Sequence, residues 1–349
     1  MKIIGIFRGF PGLGRVVSGV GLLETLRDSY GWDVEMISYL QGKKYLIACG
    51  YGNLPEVSQF DYSSIGLVPT NNMGLYIHKR IQNFSPDIVL IDGEPLILQS
   101  VKLNFPNVKV VTLLNPSDVE NPSNDEFSMN FFNHSYALSD LAIVHGLRKI
   151  IPDVRYNNMI SIDTILRPQI LKVKNVPSSN IYCILGGGTL NVGQEFIDST
   201  IRIAELCKQL GPKFESFNIH IICSSKNVYS QVNTSVLPNN VYIRDYISEA
   251  SQYYSDASLI ITRSGRNTLS EVAYLKIPTI TFVSGCKFRR NEQQDNLDHM
   301  IYGNVVMATT DINVDEFYGL CKKVMLHSDK SSSMECGNNV AIQKILELV

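Results

Sequence analysis

Short, strongly apolar runs alternate with longer stretches of helical periodicity along most of this chain, and that alternation constrains its fold more than anything else. It favours α/β architecture with largely parallel sheets. In the first half, Lys2–Phe7, Val34–Ser38, Ile88–Ile91, Val108–Leu113 and Leu141–Val144 predict strands. Val16–Arg27, Leu75–Asn83, Pro95–Asn104 and Glu126–Leu138 predict helices between them. The stretch Gln41–Asn72 is richer in Gly, Ser, Tyr and Asn and weakly periodic. Loops and short elements over the open end of the sheet are expected there.

The alternation breaks once. Arg167-Pro168 through Val176-Pro177-Ser178-Ser179-Asn180 holds two prolines and little apolar pattern, and reads as an interdomain linker. It then restarts with strands at Ile181–Leu185, Ile219–Cys223, Val241–Ile243, Leu259–Thr262 and Thr279–Val283. Val192–Leu210 is an amphipathic helix with Phe196, Ile197, Thr200, Ile201, Ala204, Cys207 and Leu210 on one side, and Val340–Val349 is a final helical pattern. A chain of 349 residues exceeds the size at which one core stops growing, so two domains follow on length as well. The expected division is 1–170, a linker over 171–180, a second domain over 181–335 and a terminal helix in 336–349. Two similar α/β units with a cleft between them is the favoured architecture.

Composition narrows the function by exclusion. A net charge of −2 gives no electrostatic footprint for nucleic acid or an anionic membrane surface. No apolar run approaches the roughly 18–20 residues of a membrane-spanning helix. The N-terminal run Met1–Arg8 is too short for a signal peptide and reads as a buried first strand. The seven cysteines are scattered without a Cys-x-x-Cys pair, which argues against zinc and a disulfide framework and fits a reducing cytoplasm.

Each half opens with a strand followed by a glycine-rich turn. The first is Arg8-Gly9-Phe10-Pro11-Gly12-Leu13-Gly14-Arg15, and the second is Gly186-Gly187-Gly188-Thr189. Such a turn lets backbone approach a ligand closely and aims helix-start amides at an anion. Neither completes a Gly-x-Gly-x-x-Gly or P-loop pattern, and either also suits a tight strand–helix connection.

The most informative stretch runs from Tyr242 to Asn296. Ile243-Arg244-Asp245-Tyr246-Ile247 precedes Ala257 to Arg263, and then Ser264-Gly265-Arg266-Asn267-Thr268-Leu269-Ser270-Glu271 follows. Ser264-Gly265 ends an apolar strand and opens a helix, a good seat for a diphosphate. The hydroxyls of Ser264 and Thr268 and the amides around Gly265–Asn267 can donate to phosphate oxygens, with the positive helix end adding about 0.3–2 kcal/mol. A carboxylate such as Glu271 can accept two hydrogen bonds from a ribose diol. Gln293, Gln294 and Asn296 supply amides suited to sugar hydroxyls. In isolation, Thr268-x-x-Glu271 also fits a capping box, and Gln293–Asn296 a solvated helix start.

Taken in this order, these residues resemble the donor domain of GT-B glycosyltransferases. The nearest pattern is the family of the UDP-N-acetylglucosamine transferase that completes lipid II. Related patterns occur in UDP-glycosyltransferases of natural-product pathways and in the UDP-sugar hydrolase of pseudaminic acid synthesis. The resemblance is strong over about Ile181–Val306 and looser before it. It implies α/β architecture of two Rossmann-like domains facing across a cleft, the second holding a nucleoside-diphosphate sugar, UDP-linked or TDP-linked. By that resemblance Ile243 would lie against the base, and Ser264, Gly265 and Arg266 would meet the diphosphate with Asn267 and Thr268 beside them. Glu271 would bind ribose, and Gln293, Gln294 and Asn296 the sugar. Gly14, Gly187, Gly188 and Thr189 would border the cleft near the phosphates. No metal and no further cofactor are implied. The acceptor stays open among small molecules, lipid-linked carriers and glycans. A cytoplasmic location is expected, with a peripheral place at the inner membrane surface left open.

One departure bears on mechanism. Relatives often carry Gly-x-Gly-His in the first turn, whereas Gly12-Leu13-Gly14 is followed here by Arg15. An arginine stays protonated at any working pH and cannot be a general base, although it can clamp an anion. Asp92-Gly93-Glu94, directly after the strand Ile88–Ile91, is the best replacement, at the strand ends where open α/β sheets place ligands. The same Asp-x-Glu also suits a metal, or Glu94 merely begins a helix. Of the histidines, His78 and His134 sit on expected helices, and His145 ends a strand and is the more interesting. Transfer with inversion is the expected reaction. Nucleotide-sugar hydrolysis and a non-catalytic nucleotide-sugar-binding subunit are the alternatives.

Overall fold

The structure, a computed structural model, describes residues 1–9, 12–52, 71–121, 124–186, 193–223, 225–232, 236–245, 247, 250–284, 287–327 and 334–349. It divides into two compact units. The first comprises Met1–Pro168 and Cys336–Val349, and the second Gln169–Glu335.

The first unit is a six-stranded sheet built from β1 (Lys2–Phe7), β2 (Asp33–Ile37), β3 (Ile88–Asp92), β4 (Lys109–Leu114), β5 (Leu141–His145) and β6 (Met159–Ile162). The strand order is β2-β1-β3-β4-β5-β6 and every pairing is parallel. Parallel strands need crossovers, here supplied by helices that cover the sheet. Helices α1 (Gly14–Tyr30), α2 (Leu40–Ala48), α3 (Asn71–Phe84), α4 (Pro95–Asn104) and α5 (Glu126–Tyr136) belong to this unit. Side chains alternate between faces. Ile3, Ile88, Leu90, Val111 and Ile143 pack with Val16, Val20, Leu23 and Leu26 of α1, whereas Ile4, Ile6, Val89, Ile91 and Val110 pack with Ile77 and Ile81 of α3 and Leu98 and Val101 of α4. Burial on both faces explains why these strands are nearly continuous apolar runs.

The second unit repeats the plan with β7 (Asn180–Ile184), β8 (Asn218–Ile222), β9 (Val241–Arg244), β10 (Ala257–Arg263), β11 (Thr279–Phe282) and β12 (Val305–Ala308). Its order is β12-β11-β10-β7-β8-β9, again parallel throughout. Helices α6 (Gln194–Leu210), α7 (Lys226–Val232), α8 (Arg266–Tyr274), α9 (Lys287–Asp298) and α10 (Val314–His327) accompany it. The core on one face joins Ile181, Cys183, Leu259 and Ile261 to Ile203 and Cys207 of α6 and to Phe317 and Cys321 of α10.

Leu40–Ala48 is a helix in the stretch where loops and short elements were expected, while 53–70 lies outside the described residues. The stretch read as a linker is bonded to the second unit. The Val176 and Ser178 amides donate to Ser255 and Asp256 carbonyls at 2.8 and 2.9 Å, and Asn175 donates to the Tyr254 and Ala257 carbonyls at 2.7 and 3.0 Å. The last helix, α11 (Asn338–Leu346), belongs to the first unit, where Ala341, Ile342 and Ile345 join the core under α1. Among the described residues, no helix is long and apolar enough to cross a membrane.

Asn338 fastens that return. Its side chain accepts from the Leu166 amide and donates to the Leu166 carbonyl, both at 2.8 Å, and all three groups are buried. Asn338→Ala leaves a buried donor and acceptor without their partner, and is expected to cost about 2 kcal/mol or more in a urea melt.

Candidate functional site

Open parallel sheets bind ligands outside the carboxyl ends of their strands, where the order reverses. In the second unit the chain leaves β7 toward β8 and later returns on its other side with β10, so the reversal lies between β7 and β10. Thr262 of β10 is level with Ile184 of β7. The turn after β7 at Leu185-Gly186 therefore lies beside the turn Ser264-Gly265 after β10.

Helix α8 starts directly from that second turn. Gly265 precedes it with no side-chain cap, and no acidic residue stands in its first turn. A Cβ on Gly265 would meet nothing within 4 Å, so the helix mouth is open. Four amides at a helix start have no partner within the helix, which makes this end receptive to an anion. Thr268 is inside the helix and does not cap it, so the capping-box alternative fails. Thr268 and Asn267 are half-buried, and the Arg266 side chain folds back, its Nε donating to Asn267 Oδ1 at 3.2 Å.

Other expected contacts are arranged differently. The Ser264 hydroxyl is fully buried, donates to the Phe282 carbonyl at 3.1 Å and shares a 3.0 Å hydrogen bond with Thr281. It braces β11 and does not face outward as a phosphate donor. Glu271 is buried and accepts from the Tyr254 hydroxyl at 3.1 Å. Gln293, Gln294 and Asn296 lie well inside α9, not at its start. Gln293 is buried, and its Oε1 accepts from the Ser284 amide at 2.8 Å. Asn296 donates to the Ser264 carbonyl at 3.1 Å. These two amides tie α9 to the tips of β10 and β11. Gln294 is exposed and donates to Asp298 at 2.7 Å. Ile243 is half-buried on β9 against the core. Gly187, Gly188 and Thr189 lie outside the described residues.

In the first unit the order reverses between β1 and β3. Arg8 follows β1, Asp92 ends β3, and Arg15 stands in the first turn of α1, just after the exposed Gly14. Arg15 Nη1 donates to Asp92 Oδ1 at 2.8 Å, and its Nη2 donates to both oxygens of Asp118 at 2.7 and 3.0 Å. Arg8 Nε donates to Glu94 Oε1 at 3.3 Å, and the Tyr39 hydroxyl donates to the same oxygen. Gly93 separates the two acids at φ +82°, and a Cβ there would lie 2.5 Å from Arg15 Cδ. Glycine is required both by the turn and by the arginine that crosses it. Asp92, Glu94 and Arg15 thus come together, but as ion pairs. The anion expected at Arg15 is supplied by the protein itself.

The charges follow from burial and pairing. Burial alone would lower the Arg15 pKa, but Asp118 and Asp92 outweigh it and hold the guanidinium charged well above its ordinary range. Burial pushes the Asp118 carboxyl up, yet Arg15 and the Asn115 amide bring it below the usual value. For Glu94, burial dominates and raises the pKa, offset only in part by Arg8 and Tyr39.

Sequence reasoning missed Asp118, Tyr39, Tyr254 and a role for Arg263. Asp118 left a signal in Asn115-Pro116-Ser117-Asp118, a capping box after an apolar strand. The histidines are structural. His145 is fully buried and accepts from the Ile165 amide at 3.3 Å, His78 bonds Ser100 at 3.0 Å, and His134 contacts the Asn130 carbonyl at 2.7 Å.

Comparison with known proteins bears on the fold and on the second unit. Residues 183–324, from β7 to α10, match the glycosyltransferase family 28 C-terminal domain. Solved structures align over both units. Acinetobacter baumannii MurG has a TM-score of 0.59 at 14% identity, covering 99% of this chain and 100% of that one. The fold is GT-B. The UDP-GlcNAc 2-epimerase from Methanocaldococcus jannaschii shares it, with a TM-score of 0.61 at 15% identity and 100% of both chains covered. Two curated relatives carry the name UDP-N-acetylglucosamine–N-acetylmuramyl-(pentapeptide) pyrophosphoryl-undecaprenol N-acetylglucosamine transferase. The one from Thermosipho melanesiensis is 28% identical over 109 residues, 31% of this chain and 28% of the relative. The one from Thermosipho africanus is 26% identical over 170 residues, 48% of this chain and 45% of the relative. The chain spans less than half the length of either curated relative. It is a GT-B chain resembling these glycosyltransferases, with the sequence match concentrated in its second unit.

The Arg15 cluster gives a stability prediction. Arg15→Met strands the buried Asp92 and the half-buried Asp118 carboxylates and is expected to cost about 3 kcal/mol. Because the folded-state pKa of Asp118 is depressed, its contribution is present above the ordinary carboxylate pKa and disappears as pH falls through the lowered one. Urea melts from neutral to acid pH should show Asp118→Asn weaker than wild type at neutrality, with the gap closing at the acid end.

Proposed function

We propose that this chain moves a sugar from a nucleoside-diphosphate sugar, UDP-linked, to an acceptor hydroxyl. The observation that carries the proposal is that α8 starts at the exposed Gly265 beside the β7–β10 reversal, within the segment that matches the glycosyltransferase family 28 C-terminal domain. In this reading the start of α8, from Gly265 to Asn267, receives the diphosphate, Ile243 flanks the base, and Glu271 takes the ribose hydroxyls. Gln293, Gln294 and Asn296 border the sugar, with Thr268 and the 187–189 turn at the phosphates.

The leaving group departs as an anion, so the step requires fixed positive charge and donors, and the helix end provides both without reorganisation. No metal takes part in this scheme. The proton of the acceptor needs a base. Arg15 cannot serve, and Asp92 is held by Arg15. Glu94 is paired with Arg8, yet burial raises the basicity of its carboxyl. We assign it that role, in a single displacement with inversion at the anomeric carbon. The acceptor's class remains a small molecule, a lipid-linked carrier or a glycan, and the names of the two curated relatives support the lipid-linked one.

The test begins with binding. UDP at a hundred times its dissociation constant is expected to add about 2.7 kcal/mol of stability, and Glu271→Ala to lose most of it. Turnover follows with UDP-sugars and an acceptor panel. Glu94→Gln should keep the UDP shift while lowering kcat by about 10²–10⁴-fold. Rapid UDP release without an acceptor would replace transfer by hydrolysis, and a retained anomer would overturn the single displacement.

A further inference from the structure

Arg263 ends β10, one residue before the Ser264-Gly265 turn, and has no part in the contacts proposed above. Its side chain runs sideways to the neighbouring strand. The guanidinium donates to the Leu185 carbonyl at the end of β7 and lies 3.4 Å from the Thr200 hydroxyl of α6. It also stacks on the Phe196 ring, 3.8 Å from its centroid, and the whole residue is buried. Gly186 takes φ +97°, and a Cβ there would lie 2.6 Å from the Arg263 Nη2. The guanidinium thus fills the place of a side chain over that turn. One residue earlier, the Thr262 hydroxyl donates to the Ile184 carbonyl at 2.8 Å.

The tip of β10 therefore grips the tip of β7 twice and holds the first two turns of α6 with the same arginine. These two tips flank the strand-order reversal where the diphosphate is proposed to sit. We infer that Arg263 is a positioning residue for diphosphate binding: it fixes the Leu185-Gly186 turn at a set distance from the mouth of α8 without touching the ligand. The inference rests on the donor-site reading above. Its physical basis is that donors shared between two turns serve an anion only when their spacing is held within a fraction of an ångström. A planar fork is suited to this, because it bonds a carbonyl and a hydroxyl while stacking on a ring. A lysine has no planar face to stack on the Phe196 ring.

The experiment compares UDP with uridine, which lacks the phosphates, on wild type, Arg263→Met and Arg263→Lys. Affinity for UDP is read by calorimetry and for uridine by saturation-transfer NMR. Arg263→Met is expected to weaken UDP at least tenfold, about 1.4 kcal/mol, with uridine unchanged. Arg263→Lys should fall between, and it decides by the same ratio if the methionine variant does not fold. Equal losses for UDP and uridine would reduce Arg263 to general stability, and unchanged UDP affinity in both variants would overturn the inference outright. Failure of wild type to bind UDP would instead remove the donor-site reading, and this inference with it.

Discussion

Parallel strands covered on both faces leave only their ends for chemistry, and everything functional in this chain follows from that constraint. Both sheets bury Ile, Val and Leu along most of their strand middles. All strands in a sheet end on the same side, and a reversal of order opens a gap between two adjacent ends. Each unit has one such gap. In the second it is flanked by an uncapped helix start, and in the first by a cluster of buried charges.

The two gaps solve opposite electrostatic problems. At β7–β10 the backbone supplies positive character through α8, and the surrounding side chains serve as braces. Ser264 holds β11, Asn296 and Gln293 hold α9, and Arg263 holds the turn after β7. Polar residues that sequence suggests as ligand contacts thus also bond the turns and helices around the start of α8 to one another. At β1–β3 the side chains carry the charge, and they neutralise one another. Two arginines sit among three carboxylates, and Arg15 alone bridges Asp92 and Asp118. Breaking such a pair costs more than the pair gains, because an uncompensated buried charge remains.

Most of the scaffold was legible because local rules and tertiary structure agree. Lys2–Phe7 and Pro95–Asn104 have the expected ends, and most other predicted strands shift by one or two residues. The omissions have physical causes. β6 and β12 are four-residue edge strands, half solvated, with too few buried positions for a clear pattern. The α10 helix did carry a signal, since Phe317, Cys321 and Val324 recur at helical spacing. Side-chain roles were less legible than elements. The direction of the Ser264 side chain depends on β11, which is 15 or more positions away. The Arg15 pairs span 77 and 103 residues, beyond any local periodicity.

The substitution of arginine for the more usual histidine after Gly14 then has a structural explanation. A neutral histidine could not balance Asp92 and Asp118 together, whereas a guanidinium donates to both in one plane. Gly93 lets the chain turn so that Asp92 and Glu94 fall to different arginines, Arg15 and Arg8. Since the same fold also serves an epimerase, reaction type cannot reside in the two sheets.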